Sequence, residues 1–144
     1  MKKILTLFMI IFLSGCINFG EEIETTSPSL AQVERCRIAM HIKPEVELTP
    51  LGFKLNASGI DDAIWFKFKT KNINIEDIFY KDITDILVLK DEYRFHYNGD
   101  IKWWAAQDKL LTGGQAELPD AKFMNIGIDK TTDGLIIYIM WHET

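Results

Sequence analysis

An α+β fold is predicted for this chain: an antiparallel sheet of four to five strands with one amphipathic helix packed on one face, a small all-β barrel being the alternative. Three observations lead there. Runs that read as strands outnumber runs of helical period. Most connections between them read as hairpins, with turn signals at Asn98-Gly99 and over Asp129 to Gly134. The stretch from Asn74 to about residue 89 carries the clearest apolar stripe at spacings of three and four.

Taken in order, "INFGEEIETTSP" (17–28) is acidic, rich in Thr and Ser and without a periodic apolar face, and reads as a solvated flexible tether. Ser29 with Gln32 suggests a capping box. Leu30, Val33, Cys36, Arg37 and Met40 then fall near one face, so a helix is expected from Ser29 to about Met40, against a competing strand over 36–42. Pro44 and Pro50 frame an edge strand or ordered loop. In "AIWFKFKT" (63–70), Ile64, Phe66 and Phe68 alternate with Trp65, Lys67 and Lys69, which predicts a strand with one wet face.

Asn74 is a natural cap for the next helix, with Glu76 and Asp77 in its first turn and Ile75, Ile78, Phe79, Ile83, Ile86 and Leu87 on its apolar stripe. The alternation of Tyr93, Phe95 and Tyr97 before Asn98-Gly99 reads as a hairpin returning through Trp103 and Trp104. Residues 105–120, with Gly113-Gly114 and Pro119, read as a long surface loop. Residues 122–141 read as two strands joined by a turn. Leu135 to Trp141 is continuously apolar, as in a strand covered on both sides.

The N-terminus is informative in a different way. Lys2 and Lys3 precede an apolar run from Ile4 to Leu13 that is about half the ~20 residues a spanning helix needs, and the small residues Ser14 and Gly15 follow it. This is an export-signal pattern. "LSGC" at 13–16 resembles the lipobox of bacterial lipoproteins, an aliphatic residue, a small one, Gly or Ala, then Cys. The resemblance implies cleavage before Cys16, diacylglycerol on its thiol and acylation of the new amino group. The organisation expected is then a signal peptide at 1–15, a lipidated Cys16 with a flexible tether to 28, and one globular periplasmic domain at 29–144. Several acyl chains anchor stably where one holds only reversibly. By the same resemblance Ile17, where an Asp would favour inner-membrane retention, implies the outer membrane, facing the periplasm.

Composition narrows the partners. The chain has 144 residues with 16 basic and 21 acidic groups, and loss of Lys2 and Lys3 makes the mature protein more acidic still. A nucleic-acid partner is disfavoured, because phosphate binding needs a basic patch. With Cys16 acylated, Cys36 has no partner in its own chain and is expected to be a free, poorly reactive thiol.

No constellation of catalytic residues is visible. Asp61-Asp62 suits turn chemistry, while His41, His96 and His142 lack the close spacing of zinc ligands. Nucleophile and phosphate-cradle motifs are missing, so no catalytic residue, metal or cofactor is assigned and a non-enzymatic role is expected. The aromatic residues are densest around Trp103 and Trp104, which are the candidate partner surface. The leading expectation is a lipid-anchored module that binds another protein, in an inhibitor, immunity or accessory role. Carriage of a small apolar ligand is the alternative and hydrolysis is a third reading.

Overall fold

Seven strands form one antiparallel sheet in the order β1-β2-β3-β7-β6-β5-β4. They are β1 (Glu21–Thr25), β2 (Leu48–Ala57), β3 (Asp62–Thr70), β4 (Lys90–Tyr93), β5 (Leu111–Leu118), β6 (Lys122–Thr131) and β7 (Gly134–Glu143). Helix α1 (Leu30–Ala39), a 3-10 turn (Ile75–Asp77) and the single turn α2 (Lys81–Thr84) complete the elements. The computed structural model describes residues 20–59, 61–95 and 100–144.

The expected α+β class is thus corrected: strands hold 48% of the described residues and helix 14%, a largely all-β fold. The sheet has seven strands where four to five were expected, and its linear order leaves β1 and β4 as edges, unlike a closed barrel. Three of the discrepancies have identifiable causes. Glu21–Thr25, expected in the tether, pair with β2 from Glu21↔Ala57 to Thr25↔Phe53, which turns Ile23 toward the core. The loop expected over 105–120 is half strand, because the side-chain-free face of Gly113-Gly114 lets Tyr93 and the Val88 backbone approach β5 closely. The helix expected over 74–89 is interrupted at Tyr80, which is extended (φ −65°, ψ 159°) and donates its N–H to His41 O at 3.0 Å.

That last exchange is instructive. Phe79 forms a β-bridge with Ile42, so one backbone partner across the fold replaces the helical bonds that β-branched Ile75, Ile78, Ile83 and Thr84 support weakly. The apolar stripe still does its packing: Ile78, Phe79, Ile83 and Leu87 are all buried. Helix α1 forms as its cap predicts, with Ser29 Oγ accepting from Gln32 N–H and Gln32 Oε1 accepting from Ser29 N–H. It buries Val33, Cys36 and Met40, whereas Leu30 remains exposed.

Both faces of the sheet carry a core. On one, α1 and the 75–87 segment cover Phe53, Leu55, Ile64, Phe66, Phe68, Ile126, Ile137 and Ile139. At roughly 1.5–3 kcal/mol for each fully buried side chain of this size, this is the main source of stability. On the other, the irregular segment after β4 brings Phe95, Ile101, Trp104 and Ala106 over Trp65, Leu111 and Tyr138. The wet face expected for β3 is therefore dry at Trp65.

A cross-strand row explains where that second cover sits. Gly52, Lys67, Tyr138, Gly127 and Gly113 are successive register partners across β2, β3, β7, β6 and β5. A Cβ on Gly52 would overlap the Trp103 indole, on Gly113 the Tyr93 ring, and on Gly127 the Phe95 ring. Three missing side chains make a furrow. Three aromatic rings fill it.

Candidate functional site

Trp103 and Trp104 do not lie on a strand. β4 pairs with β5 rather than with the segment after it, the two indoles sit in a turn, and Asn98-Gly99 lie outside the described residues. Trp104 is interior, 2% exposed, edge-on to Phe95 and Tyr138. Trp103 is half-buried on Gly52 and donates its Nε1–H to Glu24 Oε1 at 3.1 Å, tying the cover to the edge strand β1. Glu24 and Glu22 also hold Lys54, so this corner is a packed latch.

Beneath Trp104 lies a polar group of residues that sequence spacing did not bring together. Lys67 Nζ donates to Trp103 O at 2.8 Å and Trp104 O at 3.4 Å, and stands 4.9 Å from the centre of the Tyr138 ring. Burial lowers its pKa, with the Lys109 cation acting in the same direction and Asp129 opposing. Lys109 itself is paired with Asp129, which raises its pKa. Burial raises the Tyr138 phenol and Lys109 opposes that shift. The signal available in the sequence was Lys67, a cation in the middle of an aromatic strand.

The opposite face carries the concave surface. At the C-terminal end of α1, a groove of about 300 Å³ is lined by Glu34, Arg37, Ile38, His41, Ile42, Pro44 and Tyr80. A second, of about 380 Å³, shares Ile38 and His41 and continues past Leu118, Pro119 and Trp141. Ile38 is 79% exposed and Tyr80 47%, so two large apolar side chains stand at the first groove without cover.

The helix end builds this groove. His41 N–H bonds Ile38 O at 3.4 Å and Ile42 N–H bonds Arg37 O at 3.0 Å, the double closure of a Schellman motif. Its turning residue needs a left-handed backbone, usually from Gly, but here it is His41 at φ 52°. Its Nδ1 meets Asp82 Oδ2 at 2.5 Å, which leaves Nε2 as the ring nitrogen with a role to play. Arg37 is spoken for: its guanidinium donates to Lys43 O and Val46 O, both at 2.9 Å, and pairs with Glu34. It shapes the wall by holding the 43–46 turn. Sequence reasoning missed Ile38 and Tyr80; an isoleucine on the polar side of a capped helix was the available signal.

Cys36 is 0% exposed, and burial pushes its thiol up to about 12. Asp61 and Asp62 serve the β2–β3 turn, where Gly59 N–H donates to Asp62 Oδ1 and Asp61 N–H to Ser58 Oγ. His142 stacks on Phe123 with its pKa lowered by burial. His96 and Cys16 lie outside the described residues. Among the described residues no three His, Cys, Asp or Glu side chains gather as metal ligands, and no helix is long and apolar enough to cross a membrane. Comparison with protein-family models, curated proteins and solved structures finds no match for this chain.

Proposed function

We propose that this chain is a lipid-anchored envelope protein that carries a small, mainly apolar ligand in the groove at the C-terminal end of α1. The observation that carries the reading is the groove itself: Ile38, Ile42, Pro44 and Tyr80 supply apolar walls, and Glu34, Arg37 and His41 supply the polar groups. A volume of about 300 Å³ lies at the lower end of the range for ligand sites, which are mostly apolar with few convergent polar groups. The rival reading, docking of a protein, loses its expected anchor, since Trp104 is interior and Trp103 is engaged by Gly52 and Glu24. No enzymatic step is assigned.

The anchor rests on "LSGC" at 13–16, which supports acylation of Cys16, and on Ile17, which supports the outer membrane facing the periplasm. Cys16→Ser should abolish incorporation of labelled palmitate; continued labelling would remove the anchor from the proposal.

For the groove, the full chain in mild detergent is titrated with the neutral apolar fluorophore N-phenyl-1-naphthylamine. Saturable binding, lost in Ile38→Asp at an unchanged melting temperature, supports the reading. Binding that never saturates, or that ignores Ile38→Asp, defeats it.

A further inference from the structure

The two grooves at the end of α1 meet at the same pair of residues. Ile38 and His41 line both, with the 79% exposed Ile38 standing between an arm walled by Ile42, Pro44 and Tyr80 and an arm walled by Leu118, Pro119 and Trp141. A molecule that occupies both arms therefore lies across His41.

Asp82 sets the polar chemistry of that junction. An ionised carboxylate only accepts, so the 2.5 Å contact with Asp82 Oδ2 places the ring hydrogen on Nδ1, and the neutral imidazole presents Nε2 as an acceptor. Nε2 has no hydrogen-bond partner among the described residues. The other charged side chains of the two arms face one another: Arg37 pairs with Glu34 at 3.3 Å, and Lys122 stands 4.0 Å from Asp120. Neither cation is free to take an anion. The Asp82 carboxylate behind the ring gives the junction a negative balance, which repels an anionic group and favours one that donates a hydrogen bond.

We propose, building on the groove reading above, that the ligand is a two-armed apolar molecule with an uncharged hydrogen-bond donor, a hydroxyl or an N–H, between its arms. The donor meets His41 Nε2, and the arms lie on either side of Ile38. A ligand confined to the first groove would need neither the central donor nor the second arm.

N-phenyl-1-naphthylamine has this plan, two aryl arms about one N–H. 1-Phenoxynaphthalene keeps the arms and puts an ether oxygen where the N–H was, so that acceptor faces acceptor. The full chain in mild detergent, at pH 8 and so above the ~6.5 of a free imidazole, is titrated with the amine, and the affinity of the ether is read from its displacement of the amine. The amine is expected to bind about tenfold more tightly, the worth of one neutral hydrogen bond. His41→Asn keeps a residue that accepts a left-handed backbone but removes the ring, and should bring the amine down to the affinity of the ether while leaving the ether unchanged. Pro119→Asp, which sets a charge in the second arm alone, should weaken both compounds about tenfold.

Equal affinities of amine and ether for the unchanged protein overturn the proposal, and so does an unchanged amine affinity in Pro119→Asp. In either case amine binding that is saturable and lost in Ile38→Asp still supports the groove as a ligand site. Amine binding that never saturates defeats the groove reading and this inference together. Should His41→Asn fail to fold, the comparison of amine with ether decides.

Discussion

Gly52 lies directly beneath Trp103: a Cβ on that glycine would overlap the indole. The same relation holds for Gly113 with Tyr93 and for Gly127 with Phe95, so the second core is seated on three positions where the sheet has no side chain. The glycines sit inside strands, where they weaken local β structure, and the packing of aromatic rings offsets that cost.

Substitution of Gly52 by Val should therefore lift Trp103 and break its bond to Glu24. Overpacking of this kind costs about 1–3 kcal/mol. The denaturation midpoint should fall and the tryptophan emission shift to the red; a midpoint equal to that of the unchanged protein would refute the seating.

Trp104→Ala should cost about 3–5 kcal/mol, as truncation of a core aromatic does. Trp103→Ala, at a half-buried site, should fall in the ordinary range of about 0.5–3 kcal/mol. Urea titration of the two variants checks the order. Equal losses would mean that the two indoles share one environment.

Cys36 makes a pH-dependent contribution whose sign follows from its burial. The folded thiol holds its proton up to about 12, while the unfolded thiol loses it near 9.0. Between those values the unfolded state binds fewer protons, so stability falls as pH rises, by about 1.4 kcal/mol per unit from this group. Below about 9 the contribution is fully present. Stability curves of the unchanged protein and of Cys36→Ala should converge toward pH 11; parallel curves would exclude this origin. In the folded protein at pH 8, a thiol reagent should modify Cys36 only as fast as the domain opens.

His41→Gly should fold with a stability within about 1 kcal/mol of the parent, since relief of the left-handed backbone offsets loss of the Asp82 pair. His41→Val places a β-branched residue at φ 52° and should cost about 1–3 kcal/mol. Thermal melts distinguish the two. A larger loss for Gly than for Val would show that the ring, and not the backbone, sets the energetics there.

How far the sequence could be read depends on whether each signal was local. The capping box of Ser29 and Gln32, the alternation of Ile64, Phe66 and Phe68, and the apolar run of β7 are local, and each marks an element that forms. The stripe of Ile78, Phe79, Ile83 and Leu87 identified burial correctly and the backbone wrongly, because a distant partner, Ile42, captured Phe79. Gly113-Gly114 read as loop for a related reason. What those glycines accommodate, Tyr93 and the Val88 backbone, arrives from elsewhere in the chain. The groove and the Lys67 group are non-local throughout: Tyr80 meets His41, and Lys67 meets Trp103, only once the sheet exists.

The position of β7 between β3 and β6 also bears on the rate at which the protein folds. β2 and β3 are joined by a short turn, as are β5, β6 and β7, while β1 reaches β2 through the 26–47 segment that carries α1. The two groups join along the β3–β7 seam, where Thr70 meets Leu135 and Ala63 meets His142. That seam forms only after the whole stretch 71–134 has been closed into a loop, which costs entropy before any contact rewards it. Weakening the seam, for example by Ile137→Ala, should slow folding, whereas weakening α1 by Val33→Ala should chiefly speed unfolding. The join between two locally competent halves is then the kinetic bottleneck of the domain.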